Sequence, residues 1–298
     1  MKHNFQGAWP ALITPVAADG SLNTTVMHEL VEYLLGKGSS GLYLCGSTGE
    51  GLYLTTNERR QVVEQVIEQV KGRVPVVVHV GSATTRESVA LARHASQCGA
   101  SGISSVLPLL NPDMQSTYFH YQSIAAAAPE LPFFPYLFGA RIDAITVMRE
   151  LKERIPNLGG TKYTGPDMFE IRRLIDIPGA EDWTIFSGMD EQCVFAAMFG
   201  VRCNIGSTLN AMPGVYREIH RCVQAGEYQR AVDLQLRVNR VTATLISFGF
   251  LGAFREYLRM IGFDCGEPRQ PSLPLPAEKR AALHEQLERD EYRTLVAM

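Results

Sequence analysis

The hydrophobic and polar positions of the chain form a repeating pattern: short apolar runs, rich in β-branched and aromatic residues, alternate with longer amphipathic stretches. Runs of the first kind predict buried strands, and amphipathic stretches of about ten or more residues predict helices. The pattern predicts eight strands, at 11–16, 41–46, 74–81, 102–108, 132–138, 158–164, 183–188 and 202–208. Helices are predicted between them, for example at 24–37, 57–71, 85–98 and 143–154.

The first two of these helices carry N-terminal signals. Asn23 or Thr24 is placed to cap the first helix, because a short polar side chain there accepts a hydrogen bond from an unpaired backbone N–H. Thr56 is placed to cap the second helix, with Glu58 in the first turn, where the helix dipole stabilises a carboxylate.

Strands alternating with helices predict a parallel (β/α)8 barrel, the TIM barrel. An open doubly wound sheet is the competing fold, and the count of eight strands together with the lack of G-x-G-x-x-G after the first strand favours the barrel. After residue 210 the strand signals stop, and 211–295 reads as helices, one of which completes the barrel. We therefore expect a (β/α)8 barrel over residues 1–215 and a C-terminal helical extension over residues 216–298.

Composition and charge exclude several classes of function. The chain has 298 residues, 46% of them hydrophobic, with a formal net charge of -3 and a pI near 6.2, so no overall positive field favours nucleic acid or an anionic membrane. No apolar run reaches the roughly 18 residues of a membrane-spanning helix, and the N-terminus lacks the pattern of a signal peptide. We expect a cytoplasmic protein without a nucleic-acid or membrane partner.

The spacing of cysteine and histidine argues against a metal site. None of the six cysteines forms a C-x-x-C pair, and the seven histidines show no H-x-H or H-x-x-x-H spacing. We expect reduced, mostly buried thiols and no bound metal.

Lys162 is the only lysine on a predicted strand, in the run NLGGTKYTG at 157–165. Active sites of (β/α)8 barrels lie at the C-terminal ends of the strands, and Lys162 is near that end of the sixth strand. Desolvation in the barrel mouth favours the neutral amine, a nucleophile that forms Schiff bases with ketones. The alternative is a lysine whose buried stem lets its ammonium group reach water.

Other strand ends carry polar residues that fit the same kind of site. In CGSTGEG after the second strand, Ser47, Thr48 and nearby N–H groups can hold a small anion such as a carboxylate, although an ordinary turn has the same composition. Tyr136 on the fifth strand can move protons beside a Schiff base, or it can be a core or rim aromatic. Arg141 can pair with a carboxylate, or it can be a solvated loop arginine.

Two acidic residues, Asp190 and Glu191, follow the seventh strand in SGMDEQ. Acids are common at the start of a helix as caps and dipole partners. The same carboxylates can also accept hydrogen bonds from substrate hydroxyls.

Taken together, these motifs resemble the N-acetylneuraminate lyase and dihydrodipicolinate synthase family, the pyruvate-dependent class I aldolases. The resemblance covers nearly the whole chain. It rests on the order and spacing of GSTGE, the tyrosine of the fifth strand, the lysine of the sixth and IGST at the eighth.

The resemblance implies that Lys162 forms a Schiff base with the keto carbon of pyruvate or another 2-oxo acid. It implies that Ser47 and Thr48 bind the carboxylate, that Tyr136 moves protons, and that Thr164 flanks the substrate. The positions that hold a sugar-like tail in the lyase branch are matched by Gly188, Asp190, Glu191 and Ser207.

The resemblance also implies that no metal or organic cofactor is needed, since the lysine itself is the electron sink, and that the protein is a homotetramer with a small 2-oxo acid as its substrate.

The chain departs from the family pattern after the fourth and fifth strands. The run after the fifth is YLFGAR where the family often has Y-N-x-P, and LPLLNP places Leu109 and Leu110 where the family has a tyrosine pair. One of those tyrosines completes a proton relay in the synthase, and leucine cannot relay protons. Arg141 lies where the synthase branch has an arginine for its second substrate.

Three functions follow from these observations. The first is a Schiff-base lyase, an aldolase or dehydratase acting on a hydroxylated 2-oxo acid through Lys162. The second is dihydrodipicolinate synthase, which condenses pyruvate with aspartate semialdehyde; Arg141 favours it, and Leu109 and Leu110 oppose it. The third is a non-catalytic protein that binds 2-oxo acids in the same pocket, which the missing tyrosines favour.

Overall fold

A computed structural model describes residues 5–108, 113–138 and 142–298 of the chain. Strands and helices alternate through most of it. The strands are β1 Gly7–Pro10, β2 Leu42–Leu44, β3 Val76–His79, β4 Gly102–Val106, β5 Phe133–Phe138, β6 Gly160–Thr164, β7 Thr184–Ser187 and β8 Cys203–Gly206. The helices are α1 Thr24–Gly36, α2 Thr56–Val70, α3 Thr85–Gln97, α4 Met114–Ala126, α5 Ala144–Arg154, α6 Met168–Ile175, α7 Cys193–Met198, α8 Pro213–Gln224, α9 Tyr228–Ser247, α10 Phe250–Met260, α11 Ala277–Arg289 and α12 Tyr292–Ala297.

The sheet closes on itself. Its order is β1-β8-β7-β6-β5-β4-β3-β2, with parallel pairing throughout. Between β1 and β2 the contact is made just beyond β1, where Ala11 lies beside Tyr43 and the Leu12 N–H donates to the Tyr43 carbonyl at 2.9 Å. The prediction of a (β/α)8 TIM barrel with C-terminal helices is confirmed, and the open doubly wound sheet is excluded.

The first strand was predicted at 11–16, and this placement is wrong because β1 ends at Pro10. The run 11–16 is buried, but it leaves the ladder after Leu12: the Ile13 N–H donates to Asn210 Oδ1 at 3.1 Å, and the Val16 N–H donates to the Cys265 carbonyl at 3.0 Å. The apolar pattern at 11–16 therefore predicted burial correctly, but it did not predict which residues pair in the sheet. The other seven predicted strands each contain an observed strand.

The predicted caps are confirmed for one helix and shifted for the other. Asn23 caps α1, accepting a hydrogen bond from the Val26 N–H at 3.2 Å. The cap of α2 is Thr55, whereas Thr56 was predicted. Either of two adjacent threonines can cap, and Thr55 is selected because Glu58 then stands three residues later and completes a capping box.

The helices after β8 form two groups. The helix α8 packs against β1 and so completes the barrel, while α9 packs on α8, α10 and α11 pack on α9, and α12 packs on α8. The division at residue 215 stays a prediction, and that position falls inside α8. The end of the region predicted as helices, 211–295, contains α11 and α12, with Glu291 between them at a φ of 57°.

No helix in the described ranges is both long enough and apolar enough to cross a membrane.

Candidate active site

The candidate site is produced by the alternation of side chains along the strands. Phe134 on β5 and Phe186 on β7 belong to an apolar cluster inside the barrel. Tyr136 comes two residues after Phe134, and Gly188 comes two residues after Phe186, so each lies on the same face as that phenylalanine. Lys162 holds the matching position on β6, where it pairs in register with Tyr136. The polar side chains of Tyr136 and Lys162 thus lie directly beyond the apolar interior, at the C-terminal ends of the strands. We call this end of the barrel the barrel mouth.

Lys162 is buried in this mouth. The residue is only 5% exposed, and its Nζ lies 3.6 Å from the centroid of the Tyr136 ring. Nζ donates a hydrogen bond to Thr164 Oγ1 at 3.2 Å and lies 5.6 Å from the centroid of the Tyr43 ring. Within the described ranges, Lys162 forms no ion pair with a carboxylate. The alternative interpretation, a lysine whose ammonium group reaches water, does not fit a residue that is this deeply buried.

Gly188 is required by the closeness of the neighbouring side chains. A Cβ atom at this position would lie 1.8 Å from Thr164 Oγ1 and 3.2 Å from Lys162 Nζ. The first distance is far below any contact between unbonded heavy atoms. A side chain at position 188 would therefore displace Thr164, which is the hydrogen-bond partner of Lys162.

The pKa of Tyr136 is lowered from its ordinary value. Burial is the largest single cause and acts in the opposite direction, raising the pKa of the phenol. The positive charge of Lys162, together with hydrogen bonds from Lys162, Ser47 and Thr164, outweighs burial and leaves the pKa of Tyr136 below its usual range. A phenol with a lowered pKa gives up its proton more readily than an ordinary tyrosine does.

The loop after β2 brings Ser47 and Thr48 to the same mouth. Ser47 is exposed there, within reach of Tyr136. Thr48 is buried, and its Oγ1 lies 2.6 Å from Oγ of Ser207, the residue that follows β8. This hydroxyl pair joins the loops that follow β2 and β8, the two strands on either side of β1.

Asp190 is buried in the short 3-10 helix after β7. Its Oδ2 accepts hydrogen bonds from the Thr208 N–H at 2.9 Å and from Thr208 Oγ1 at 2.7 Å. Thr208 Oγ1 in turn lies 2.6 Å from the Tyr216 hydroxyl oxygen. Asp190 Oδ1 is buried, has no hydrogen-bond partner among the described residues, and lies so close to Gly206 that a Cβ atom there would be 1.4 Å away.

Burial is the main cause that raises the pKa of Asp190 to about 6, and the two hydrogen bonds from Thr208 offset this only in part. The charge of Glu191 raises the pKa further, and the charge of Lys162 lowers it. The charge of Lys162 is the smallest of these effects on the pKa of Asp190. Glu191 itself is half-buried, and its backbone carbonyl accepts a hydrogen bond from Asn239 Nδ2 at 3.0 Å.

Three residues singled out in the sequence, Arg141, Leu109 and Leu110, lie outside the described residues. What the sequence predicts for them stays a prediction.

Two further residues belong to the site and were not singled out in the sequence, Tyr43 and His79. The Tyr43 hydroxyl donates to Ser104 Oγ at 3.1 Å, and its ring faces Lys162. The available signal was strand alternation, since Tyr43 has the same parity as the interior positions of its neighbours.

His79 supports Tyr136 from behind. The two rings meet edge to face with 6.3 Å between centroids. His79 Nε2 accepts a hydrogen bond from the Val106 N–H at 3.0 Å, which leaves Nδ1 as the donor to the Cys45 carbonyl at 3.0 Å. Burial, and then the charge of Arg59, lower the pKa of His79 well below its usual range. The ring is therefore neutral with both nitrogens committed. The signal available in the sequence was a single ionisable residue in the apolar run VVVHV.

In the described part of the chain, one group of metal-ligand side chains has its ligand atoms within 4.8 Å of one another: Glu64, His94 and Cys98. These residues lie on α2, on α3 and at the end of α3, away from the barrel mouth. His94 Nε2 is 2.7 Å from Glu64 Oε1, the distance of an ordinary hydrogen bond. The expected absence of a metal site stays a prediction.

Fold and site together define a barrel enzyme with a buried lysine at the C-terminal ends of its strands. The model of the dihydrodipicolinate synthetase family matches residues 4–290, and the chain belongs to this family.

Individual relatives agree with this assignment. The chain is 30% identical over 293 residues to an N-acetylneuraminate lyase of Danio rerio, covering 94% of this chain and 95% of the relative. The solved structure of Proteus mirabilis N-acetylneuraminate lyase superposes with a TM-score of 0.92 at 28% identity, covering 97% of this chain and 100% of that one. A catalytic lysine mutant of Ruminococcus gnavus sialic acid aldolase superposes with a TM-score of 0.91 at 25% identity, covering 98% and 99%. The chain is a lyase of the class I, Schiff-base aldolase type that acts on pyruvate or a related 2-oxo acid.

Proposed function

We propose that this protein cleaves a hydroxylated 2-oxo acid into pyruvate and an aldehyde, and that Lys162 is the residue that forms the Schiff base. The observation that carries the proposal is the position of Lys162 Nζ, buried at the barrel mouth 3.6 Å from the Tyr136 ring centroid and without a carboxylate partner among the described residues. The related sialic acid aldolase whose catalytic lysine was mutated supports a lysine in this role.

The chemistry needs an amine and one proton carrier. The Lys162 amine adds to the keto carbon, whose oxygen leaves as water, and gives an iminium ion. Tyr136 as phenolate takes the proton of the hydroxyl on the second carbon beyond the iminium carbon. The carbon–carbon bond then breaks, the aldehyde leaves, and the bonding electrons enter the iminium to form an enamine. Tyr136 returns the proton to the enamine carbon, and water releases pyruvate from Lys162.

The remaining residues have supporting roles in this proposal. Ser47 and Thr48 bind the carboxylate of the 2-oxo acid, which their positions in a loop at the mouth support. Thr164 holds Lys162 Nζ through its hydroxyl, and Gly188 leaves the space that this contact needs.

The substrate carries a polar tail in this proposal. Asp190 has a buried carboxylate oxygen without a hydrogen-bond partner among the described residues, and Glu191 and Ser207 lie at neighbouring strand ends. Polar side chains grouped at one end of the site suit a substrate with several hydroxyl groups, and the names of the related N-acetylneuraminate lyases make N-acetylneuraminate the first substrate to test.

The proposal includes no metal or organic cofactor, because the iminium supplies the electron sink. It also includes a homotetramer in the cytoplasm, with no nucleic-acid or membrane partner. Large apolar side chains exposed on α6 and α7 support association between subunits: Phe169, Phe195 and Met198.

The proposal is tested by trapping. Pyruvate and borohydride are added to the protein, and intact and peptide masses are measured; we expect a reduced adduct on the peptide that contains Lys162. Lys162→Ala should abolish the adduct, and Lys152→Ala, a change of a lysine on α5, should leave it intact. Release of pyruvate from N-acetylneuraminate and other hydroxylated 2-oxo acids is then followed with a lactate dehydrogenase assay.

The outcomes separate the candidate functions. No adduct with any 2-oxo acid overturns the proposal. An adduct without turnover of any substrate identifies a 2-oxo acid binding protein. Condensation of pyruvate with aspartate semialdehyde, in place of cleavage, identifies the synthase.

A further inference from the structure

The last residue of the GSTGE motif, Glu50, points away from the barrel mouth and into a buried ion pair. Its partner is Arg255 on α10, in the C-terminal extension, and both side chains are 1% exposed. Glu50 Oε2 accepts from Arg255, and Oε1 accepts from the Arg269 backbone N–H at 2.8 Å. Both carboxylate oxygens are therefore held by residues that follow the barrel strands in sequence.

Arg255 makes two further contacts, of which the one with Thr14 is on the barrel side. It donates to the carbonyl of Thr14 at 3.1 Å and to the carbonyl of Cys265. Thr14 Oγ1 donates to the Gly49 carbonyl at 2.8 Å. One guanidinium thus reaches the loop after β2 by two routes, directly through Glu50 and indirectly through Thr14.

The loop needs such anchoring because its backbone is strained. Cys45 and Glu50 have φ angles of 56° and 52°, in the left-handed region that side-chain-bearing residues rarely adopt. Gly51 is packed so tightly that a Cβ atom would lie 1.9 Å from the Cys45 carbonyl oxygen. Conformations of this kind persist where surrounding contacts impose them.

The strained loop is connected directly to the proposed carboxylate site. The Glu50 N–H donates to the Ser47 carbonyl at 3.0 Å, and the Gly51 N–H donates to the Gly46 carbonyl at 3.0 Å. The turn that presents Ser47 and Thr48 is therefore closed by the residue whose side chain Arg255 holds.

We propose that Glu50 and Arg255 are positioning residues that hold the Ser47–Thr48 turn in the shape that binds the carboxylate of the 2-oxo acid. This inference rests on the proposed function, and it assigns the C-terminal extension a role in substrate binding. The pair lies behind the loop, so it acts only through the turn.

The test compares the half-saturating pyruvate concentration for borohydride trapping, and KM against kcat, in wild type, Glu50→Gln and Arg255→Lys. We expect the half-saturating concentration and KM to rise at least tenfold in both variants, while saturating pyruvate still labels Lys162. A rise in KM with a smaller change in kcat is the signature of lost ground-state binding.

A double variant guards against misfolding. Each single change leaves a buried charged group with an altered partner, whereas Glu50→Gln with Arg255→Met removes both charges together. The double variant should fold and show the same rise in half-saturating pyruvate. Near-ultraviolet circular dichroism and thermal unfolding establish that every variant is folded at the assay temperature.

The matched control is the pair Glu256 and Arg259, also on α10. Glu256 bonds to Arg259 and His284, and Glu256→Gln and Arg259→Lys repeat the same chemical changes. Folded Glu50 and Arg255 variants whose half-saturating pyruvate stays within twofold of these controls would overturn the inference while leaving the proposed function intact. Failure of wild type to form any adduct would overturn the proposed function instead.

Discussion

Lys162 and Tyr136 face each other as register partners on adjacent parallel strands, with Nζ 3.6 Å from the ring centroid. The amine lies over the face of the ring, where the π electrons attract a cation. The positive charge of the protonated amine also lowers the pKa of the phenol, against the effect of burial. One contact between neighbouring strands thus couples the proposed nucleophile to the proposed proton carrier.

Removing the Tyr136 hydroxyl should separate Schiff-base formation from turnover. We expect Tyr136→Phe to lower kcat by about 10²-fold or more, the usual contribution of general acid–base catalysis. Pyruvate trapping on Lys162 should remain. The control is Tyr163→Phe, on the same strand as Lys162 but with its hydroxyl bonded to Glu170. Equal kcat values for the two variants would remove Tyr136 from the mechanism.

Removing the Thr48 hydroxyl should weaken binding of the carboxylate. A hydrogen bond to a charged group contributes about 1.5–3 kcal/mol, so Thr48→Val should raise KM for the 2-oxo acid roughly 10- to 100-fold. The change also breaks the 2.6 Å contact with Ser207. Thr117→Val, which removes a buried hydroxyl on α4, is the control. A KM equal to that of the control would contradict the assignment.

Asp190 should make stability depend on pH. An unfolded aspartate has a pKa of about 3.9, and burial raises the pKa of Asp190 to about 6. Between these values the native state holds a proton that the unfolded state has lost, so this contribution to stability is present at low pH and is lost as pH rises through about 6.

Replacing the carboxyl by an amide removes this dependence. Relative to wild type, Asp190→Asn should gain roughly 2–3 kcal/mol of unfolding free energy between about pH 4 and about pH 7. Urea unfolding of both proteins at several pH values measures this difference, in which the other titrating groups cancel. A difference that stays constant over the range would show that Asp190 does not titrate as described.

Glu191 should affect the tail of the substrate and not its 2-oxo acid end. We expect Glu191→Gln to raise KM for N-acetylneuraminate about tenfold, the effect of one weakened charge-assisted hydrogen bond. The half-saturating pyruvate concentration in trapping should stay unchanged. Glu181→Gln, in the exposed loop before β7, should change neither value. A parallel rise in the pyruvate value would place Glu191 at the wrong end of the site.

Much of the fold could be read from the sequence because burial leaves a periodic trace. Seven strands were located, and Lys162 was found because a lysine breaks an apolar strand pattern. The first strand was misplaced because 11–16 is as apolar as a strand, although the Ile13 and Val16 N–H groups bond to Asn210 and Cys265. Periodicity shows which residues are buried, but it does not show which partners satisfy their backbone.

The site was predicted in part for the same reason. Residues at strand ends could be proposed from their position, and Tyr136 and Lys162 do meet. The ion pair of Glu50 with Arg255 could not be foreseen, because the two residues are 205 positions apart and nothing local in either segment marks them as partners. Glu50 lies within the run CGSTGEG, but its carboxylate bonds to Arg255 and to the Arg269 backbone N–H.

That separation along the chain has a consequence for how the protein comes into being on the ribosome. The loop after β2 is synthesised early, but the arginine that holds it emerges some 205 residues later. A growing chain can therefore lay down every strand of the barrel and still lack a shaped carboxylate site. Competence to bind substrate should appear late in synthesis, as a property of the finished chain and not of the barrel alone.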